Sequence, residues 1–435
     1  SSDVCSSDLV SLLKSYNQMS DAILQVSDRE NSNITGLKGS LKSFFIAQYI
    51  EHSRLERIHK GQYEGKAPLP QDFLIVVSTA KEADEIESDL QTIIQEKVQI
   101  FKLSWWQTLP YRSVAKSSVI FGERASFLSK LADKSLSPNA KDRVFIVSER
   151  SFLSPLPPSK YVRNLSLKLK AGMSLDIMQL SSRLTELGFL RVPRVSVHGE
   201  YALRGEVIDV FMPGEKNAFR LLFDFDTLDQ IKTFDIETQS SKEKVDEILI
   251  YPMKEVLWTE ELVEKLESYF SFVDKNGIEN DYASYDSLRH NVTKDTDLKP
   301  KIMPECLKND TSLESTLSKD ELFESKNIYL KFTREAKEKE ENLLMELSLN
   351  KESEGEEFFY GQLWGAKCSL LDYVQEDTPV FYVDFDRMVN AEKSIQNEYE
   401  ISYRSARLNF PVPPPSELLL NFSELIESHK KNIQF

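Results

Sequence analysis

GFLRVPRVSVHGEYALRGEVIDVF, residues 188–211, is the stretch that decides the fold in the middle of this chain. The preceding residues predict a helix, because apolar residues recur at helical spacing at Ile177, Leu180, Leu184 and Leu187. Ser174 is the candidate N-cap of this helix and Gly188 lies at its end. Strand-like runs follow at 206–211, 219–225 and 231–234, and residues 226–229 (DTLD) have the composition of a hairpin turn. A helix followed by several short strands predicts a compact α+β unit.

The chain before this unit has the pattern of a parallel sheet. Two apolar runs, at 73–77 and 144–147, are bounded by polar turn residues, as is typical of strands buried on both faces. Between them, residues 82–97 have helical spacing, with Ile86 and Leu90 on one side. Strand, helix and strand in this order predict a doubly wound α/β sheet.

Changes in composition predict where one unit ends and the next begins. Residues 154–158 (SPLPP) break the α/β pattern, and residues 411–415 (PVPPP) form a stiff linker. A stretch dense in Lys, Glu, Asp and Ser is followed by an apolar, strand-like run at 380–383. Residues 1–9 are predicted to be a non-native leading segment that does not belong to the fold. An α/β part at 10–155 is followed by an α+β unit at 156–250 and by a second α/β part at 251–408, which contains a charged insertion at about 270–350. Residues 409–435 are predicted to form a linker and the start of a following domain.

Composition limits the classes of function. Lys and Arg number 54 against 70 Asp and Glu, a net charge of −16, so the chain repels phosphate and tight DNA binding by it is disfavoured. The three cysteines and five histidines are scattered, which predicts no metal site and no disulfide framework. We find no Ser/His/Asp or Cys/His arrangement for nucleophilic catalysis, no membrane span and no export signal, so we expect a cytoplasmic protein without catalytic residues.

Residues 36–43 (GLKGSLKS) have the frame of a phosphate-binding loop that opens a helix. In such a loop, backbone N–H groups surround the phosphates and a lysine caps them. The residue before the lysine needs to be glycine because the backbone approaches the phosphate there, but this chain has Leu41. Three interpretations stay open: an ATP site that uses Lys42 and Ser43, a turn with Gly36 and Gly39 before an ordinary helix, or a relic loop without a ligand.

The stretch at 188–211 resembles the second domain shared by transcription-repair coupling factors and the B protein of the repair excinuclease (excinuclease B). The resemblance continues through 219–225 (FRLLFDF), 231–239 (IKTFDIETQ) and 245–248 (VDEI). Four further segments favour the coupling-factor family: QTLPY at 107–111 after Trp105-Trp106, GER at 122–124, LLDYVQED at 370–377 and YEISYRSA at 399–406. The resemblance covers about 30–250 and 356–425, and the charged middle does not take part.

This resemblance implies a degenerate RecA-like parallel-sheet domain, of the P-loop helicase type, that is split by an inserted α+β domain. A helicase would carry an acidic metal-binding pair at the end of the strand 380–383, and here Val383 and Asp384 occupy those two places. Because only one carboxylate remains to hold Mg²⁺, and Leu41 stands beside Lys42, the relic interpretation is favoured. We expect no cofactor in this chain; ATP and Mg²⁺ would serve a motor elsewhere in the full-length protein.

For the inserted domain, the resemblance implies a surface that binds the A protein of the repair excinuclease (excinuclease A). Arg191 and Arg204 match arginines of that surface, Phe211 lies at the end of the same strand, and Arg194 and His198 lie nearby. A guanidinium suits such a contact because its planar fork binds a carboxylate through two hydrogen bonds. An alternative stays open, in which Arg204 ties a strand to a loop and Arg191 is merely solvated.

The resemblance also implies partners for the full-length protein beyond this chain. It would bind stalled RNA polymerase, move along DNA with ATP, and cover the inserted domain with its own C-terminal domain in an autoinhibited state. An alternative identity for the chain is excinuclease B, a damage-verification helicase. That protein would need glycine at position 41, an acidic pair at 383–384 and an aromatic hairpin. Another is a stand-alone nucleotide-binding protein. Trp105 and Trp106 could stack on bases, but the acidic chain favours packing for both.

Overall fold

The computed structural model describes residues 18–65, 67–137, 140–271, 337–407 and 412–435. The start that we predict to be foreign to the fold, residues 1–9, lies outside the described residues. Most of the predicted charged insertion, residues 272–336, also lies outside them.

The first part of the chain builds four strands and the helices that connect them. Their order is α1 (18–27), β1 (Asn31–Asn33), α2 (Leu41–Glu64), β2 (Asp72–Val77), α3 (Ala80–Ile94), β3 (Val98–Leu103), α4 (Val119–Ala132), β4 (Asp142–Ser148) and the short α5 (Glu149–Phe152). The apolar runs at 73–77 and 144–147 are β2 and β4, as predicted. Helix α3 starts two residues earlier than the predicted helix because Thr79 and Glu82 form a capping box.

The inserted unit contains a mostly antiparallel sheet covered by one helix. Its elements are α6 (Ser159–Leu165), β5 (Leu167–Lys170), β6 (Met173–Ser174), α7 (Ile177–Glu186), β7 (Leu190–Arg191), β8 (Glu200–Arg204), β9 (Val207–Val210), β10 (Ala218–Asp224), β11 (Thr227–Phe234), β12 (Ser241–Val245) and β13 (Glu247–Ile250). In space the main sheet has the order β12-β11-β10-β9-β8-β7, with β6 beside β11. Leu180, Leu184 and Leu187 are buried against it, which confirms the predicted apolar face of α7.

Two local predictions in this unit are wrong by a few residues. The N-cap of α7 is Asp176, whose side chain accepts a hydrogen bond from the N–H of Gln179, and not Ser174, which lies in β6. The hairpin turn between β10 and β11 consists of Phe225 and Asp226 alone, because Asp224 already pairs with Thr227. The residues at 227–229, predicted as turn, therefore belong to β11.

After the inserted unit, the chain returns to the parallel sheet. The remaining elements are α8 (260–271), α9 (337–350), three short 3-10 turns (Glu356–Phe359, Gln362–Trp364 and Leu370–Tyr373), β14 (Val380–Val383), α10 (Phe385–Ala406), α11 (Pro415–Leu418), α12 (Phe422–Glu427) and β15 (Asn432–Gln434). Leu343 and Leu347 of α9 are buried in a cluster with Leu262 and Leu266 of α8. The end of the predicted charged insertion is therefore an amphipathic helix that packs into the fold.

All six strands of the first sheet are parallel and have the order β1-β15-β14-β2-β4-β3. Its central strands are buried on both faces: Val76 packs with residues of α4 and α10, whereas Ile75 packs with residues of α2 and α3. This is the α/β parallel sheet with a separate inserted unit that the sequence predicts. Because the strands are parallel, the loops that follow β1, β14, β2 and β4 meet at one edge.

One predicted boundary is wrong. Residues 412–435 do not start a following domain: β15 lies between β1 and β14, and Phe422 and Leu425 of α12 are buried in the core of the parallel sheet. The strand is three residues long and only Ile433 in it is apolar, so it carries no periodic signal in the sequence.

Candidate partner-binding surface and nucleotide-like edge

The loop after β1 and the end of β14 meet at the carboxyl edge of the parallel sheet. Lys42, in the first turn of α2, donates a hydrogen bond and forms an ion pair through Nζ with Oδ1 of Asp384, which follows β14 directly. These are the lysine and the single carboxylate that the sequence assigns to phosphate and metal. The structure brings them together, and each neutralises the other's charge. We call residues 36–43 together with Asp384 the nucleotide-like edge.

The backbone of the nucleotide-like edge is partly occupied by its own hydrogen bonds. Gly36 and Gly39 have positive φ angles of 91° and 54°, which a turn can use and which glycine adopts without strain. The N–H of Leu41 donates to the Lys38 carbonyl and the N–H of Lys42 donates to the Gly39 carbonyl, each at 3.2 Å. Phosphate binding at a helix start relies on N–H groups that are free to donate, and two of them are engaged here.

Leu41 and Ser43 lie in the first turn of α2, and their side chains differ in exposure. Leu41 is about half exposed (49%), at the mouth of the loop where a working site would have glycine. Ser43 is buried at 2% exposure. The exposed Leu41 side chain, at the position where a working loop has glycine, agrees with the interpretation of the loop as a relic.

Glu149 lies at the same edge, just after β4. It is 1% exposed, and neither carboxyl oxygen has a hydrogen-bond partner among the described residues. Burial raises the pKa of Glu149 to about 7, and the nearby carboxylate of Glu392 raises it further, whereas Arg150 and Arg387 oppose the shift. A carboxyl group that is easier to protonate in the folded chain than in the unfolded chain destabilises the fold at alkaline pH.

We predict that Glu149→Gln stabilises the chain at pH 8 and has little effect at pH 4.5. Below the ordinary pKa of 4.5 the carboxyl group is neutral in both the folded and the unfolded chain, so replacing it by an amide does not change the free energy of unfolding. As the pH rises from 4.5 through about 7, the unfolded chain ionises first, so the unmodified chain loses stability that the Glu149→Gln variant keeps. The expected gain at pH 8 is roughly 2–3 kcal/mol. Urea denaturation of both proteins at the two pH values measures it; an equal difference at both would show that the pKa of Glu149 is not raised.

In the inserted unit, a buried carboxylate holds two arginines. Asp209 of β9 is fully buried, and Arg220 of β10 donates to its two oxygens from Nε at 2.7 Å and from Nη2 at 2.9 Å. Arg204 at the end of β8 donates to the same carboxylate through Nη2 while its side chain remains 48% exposed. Arg204 therefore has a structural contact, to a neighbouring strand and not to a loop, and also an exposed face; its role in binding a partner stays a prediction.

The other predicted contact residues divide into exposed and buried. Arg191 of β7 is exposed and makes no ion pair with any residue in the described part of the chain. Arg194 is exposed and donates to the Glu237 carbonyl at 2.9 Å. We call Arg191, Arg194 and Arg204 the arginine surface. Arg191 and Arg204 lie on the paired strands β7 and β8, and because Arg191 pairs with Tyr201, three residues before Arg204, their side chains leave opposite faces of the sheet.

Phe211 is buried and does not present its ring to solvent, so its assignment to the partner surface stays a prediction. Its side chain is 5% exposed and packs with Ala202, Ala218 and Phe234. The ring of the exposed His198 covers it, with ring centroids 3.8 Å apart. The ring therefore belongs to a small apolar cluster of the sheet and packs beneath His198.

Two residues of this site, Asp209 and Arg220, lie within the stretches that carry the family resemblance but were not singled out from the sequence. A carboxylate inside the apolar strand EVIDVF does indicate a buried charge that needs a cation. The identity of the cations depends on cross-strand register, since Asp209 pairs with Ala202 on one side and Arg220 on the other.

The two tryptophans pack within the protein, as favoured from the sequence. Trp106 lies under the guanidinium of Arg124, 4.0 Å from the ring centroid, and contacts the rings of Phe121 and Tyr360. Trp105 donates from its indole nitrogen to the Thr108 carbonyl at 3.2 Å. Both indole rings are partly buried and pack against apolar clusters of the described residues.

The described ranges contain neither a metal-ligand cluster nor a membrane-spanning helix. No group of three or more His, Cys, Asp or Glu side chains there could hold a metal ion. No helix in those ranges combines the length and the apolar character needed to cross a bilayer.

Comparison with known proteins supports the family resemblance. Residues 167–256 match the family model of the UvrB interaction domain, which covers the sheet that carries the arginine surface. The chain is 28% identical over 243 residues to a transcription-repair-coupling factor of Borreliella burgdorferi, a match that covers 56% of this chain and 20% of that protein. The corresponding values are 29% over 290 residues, 66% and 22% for Staphylococcus aureus, and 30% over 223 residues, 51% and 18% for Rickettsia bellii.

The chain thus spans about a fifth of the length of the curated relatives that it matches. The matched family model lies within the inserted unit and the segment directly after it, and the matches to the relatives extend over half of the chain or more. By the match to the UvrB interaction domain and by these relatives, the chain resembles the transcription-repair-coupling factors.

Proposed function

We propose that this chain is a recruitment module that binds excinuclease A through the arginine surface of its inserted unit. The full-length protein would then couple a stalled RNA polymerase to nucleotide excision repair in the cytoplasm. The observation that carries the proposal is an exposed Arg191 without an ion pair among the described residues, within the segment that matches the UvrB interaction domain.

The chemistry of the arginine surface supports an acidic partner. Arg191 offers its full guanidinium to solvent, and Arg204 offers the half that does not face Asp209. Arginines of this kind are frequent among the residues that contribute most to protein interfaces, because one planar group supplies several directed hydrogen bonds. The net charge of −16 makes this local basic surface stand out against the rest of the chain.

We further propose that the parallel-sheet body binds no nucleotide and catalyses no reaction. The ion pair between Lys42 and Asp384 uses the two charges that a nucleotide and its metal would need. Translocation along DNA by ATP hydrolysis, contact with RNA polymerase and autoinhibition by a C-terminal domain would belong to other parts of the full-length protein. The excinuclease B alternative gains no support from this edge, because Leu41 and Val383 stand where it requires glycine and a carboxylate.

We predict that Arg191→Glu weakens binding of purified excinuclease A at least tenfold, which corresponds to about 1.4 kcal/mol or more. Arg191 is the better test residue because its replacement disturbs no ion pair in the described residues. Arg204→Glu would set a second acid beside buried Asp209, so Arg204→Gln is the companion variant. Isothermal titration calorimetry measures each affinity.

The matched control is Arg183→Glu, the same charge reversal on α7, where Arg183 pairs only with neighbouring Glu186 among the described residues. It is expected to bind excinuclease A as the unmodified chain does. If Arg191→Glu and Arg183→Glu change the affinity equally, only net charge matters and the arginine surface is not the interface. Thermal denaturation of each variant confirms that the fold is retained.

A further inference from the structure

The turn between β10 and β11 presents an aromatic ring to solvent in a conformation that aromatic residues rarely adopt. Phe225 is 83% exposed and its φ angle is +49°. A two-residue hairpin turn with positive φ at its first position favours glycine there. A bulky apolar residue at this place is unfavourable for folding for two reasons. Its backbone is in a strained conformation, and its apolar ring is exposed to water.

The turn is held firmly on both sides, so the ring is presented from a fixed backbone. Asp224 pairs with Thr227 at the end of the hairpin. The short strand β6 pairs with the start of β11, and the N–H of Leu175 donates to the carbonyl of Asp226 at 2.9 Å. A ring on a rigid support loses little conformational freedom when it enters a partner.

Phe225 lies at the same end of the sheet as Arg204. Strand β9 lies between β8 and β10, and the N–H of Phe223 donates to the carbonyl of Glu206 in the turn that follows Arg204. The β10–β11 turn thus projects just beyond the β8–β9 turn. Phe225 lies on one turn and Arg204 at the strand end beside the adjacent turn, and exposed aromatic residues and arginines of this kind are enriched at the centres of protein interfaces.

The charges around the ring differ from those of the arginine surface. Asp224 and Asp226 flank Phe225 and are both exposed. Charge complementarity therefore calls for basic groups around whatever recess receives the ring, whereas the arginine surface calls for acidic groups. A partner with both features would be held in one orientation.

We infer that Phe225 is an anchor of the interface with excinuclease A, and that its ring enters an apolar recess with a basic rim on that partner. This inference rests on the proposed function. Arg204 and Phe225 then form one continuous contact, in which the arginine surface and the β10–β11 turn meet opposite charges.

The test is calorimetric titration of excinuclease A into the full chain with Phe225→Gly. Glycine removes the ring and relieves the backbone, so we expect at least tenfold weaker binding together with an unchanged or higher Tm. Phe225→Asn, which also tolerates positive φ but keeps a side chain, serves if the glycine variant is poorly folded. Tyr63→Ala is the matched control, because Tyr63 is a 94% exposed aromatic residue on α2, outside the inserted unit, and its removal should leave the affinity unchanged.

Three results overturn the inference. If Phe225→Gly binds as the unmodified chain does while Arg191→Glu binds weakly, the turn is not part of the interface and the proposed function stands. If Tyr63→Ala weakens binding as much as Phe225→Gly, the loss is not specific to the turn. If the unmodified chain does not bind excinuclease A at all, the inference and the proposed function fail together.

Discussion

Asp209→Ala is expected to lower the free energy of unfolding by about 3–5 kcal/mol, because it leaves arginines without the buried carboxylate that they share. Arg220 is only 16% exposed and donates to both oxygens of Asp209, so it would remain partly buried without its partner charge. Arg204 would also lose the contact that orients it. Urea denaturation, followed by circular dichroism, measures the change.

The control for this prediction is Asp229→Ala on the neighbouring strand β11. Asp229 is exposed and, among the described residues, hydrogen-bonds only to the adjacent Gln230, so its loss should change stability by no more than about 0.5 kcal/mol. If Asp209→Ala destabilises the chain no more than Asp229→Ala does, then the buried carboxylate is not what holds the arginines in place.

Arg124→Met is expected to cost about 3–5 kcal/mol, because it leaves the carboxylate of Glu255 buried and unpaired. Both residues are almost fully buried, and Arg124 donates to the two oxygens of Glu255 from Nε at 3.2 Å and from Nη2 at 3.3 Å. This pair joins α4 of the parallel-sheet body to the segment that follows β13. Its loss would loosen the attachment of the inserted unit.

The pH dependence of the Arg124→Met variant provides an internal check. Burial already raises the pKa of Glu255 while Arg124 lowers it, so removing the arginine raises the pKa further. A raised folded-state pKa means that stability is lost as the pH rises, and the variant should therefore be more strongly destabilised at pH 8 than at pH 5. Adding Glu255→Gln should restore part of the stability; if the double variant is less stable than Arg124→Met, the pair is not the source of the effect.

Much of the fold could be predicted from the sequence because its strongest elements carry long apolar patterns. The runs at 73–77, 144–147 and 380–383 are the three central strands β2, β4 and β14, each buried on both faces. The apolar face of α7 follows from spacing alone. Short elements were not predictable: β15 has one apolar residue, and its place between β1 and β14 depends on tertiary contacts.

The candidate sites were predictable to different degrees. Parallel strands place the loop after β1 and the end of β14 at one edge, but the ion pair between Lys42 and Asp384 joins residues 342 positions apart and no local pattern indicates it. The sequence marks the segment at 122–124 only through the family resemblance. The structure supplies physical reasons, since a side chain at Gly122 would collide with Pro213 and Arg124 pairs with Glu255.

We propose that the ion pair between Lys42 and Asp384 closes the nucleotide-like edge, so that the inserted unit and not the parallel sheet provides the function. Calorimetric titration of the chain with ATP and Mg²⁺, up to about 1 mM nucleotide, tests this most directly. We predict no saturable heat, and no difference between the unmodified chain and Lys42→Ala. Saturable binding with one nucleotide per chain that is lost in Lys42→Ala would contradict the claim.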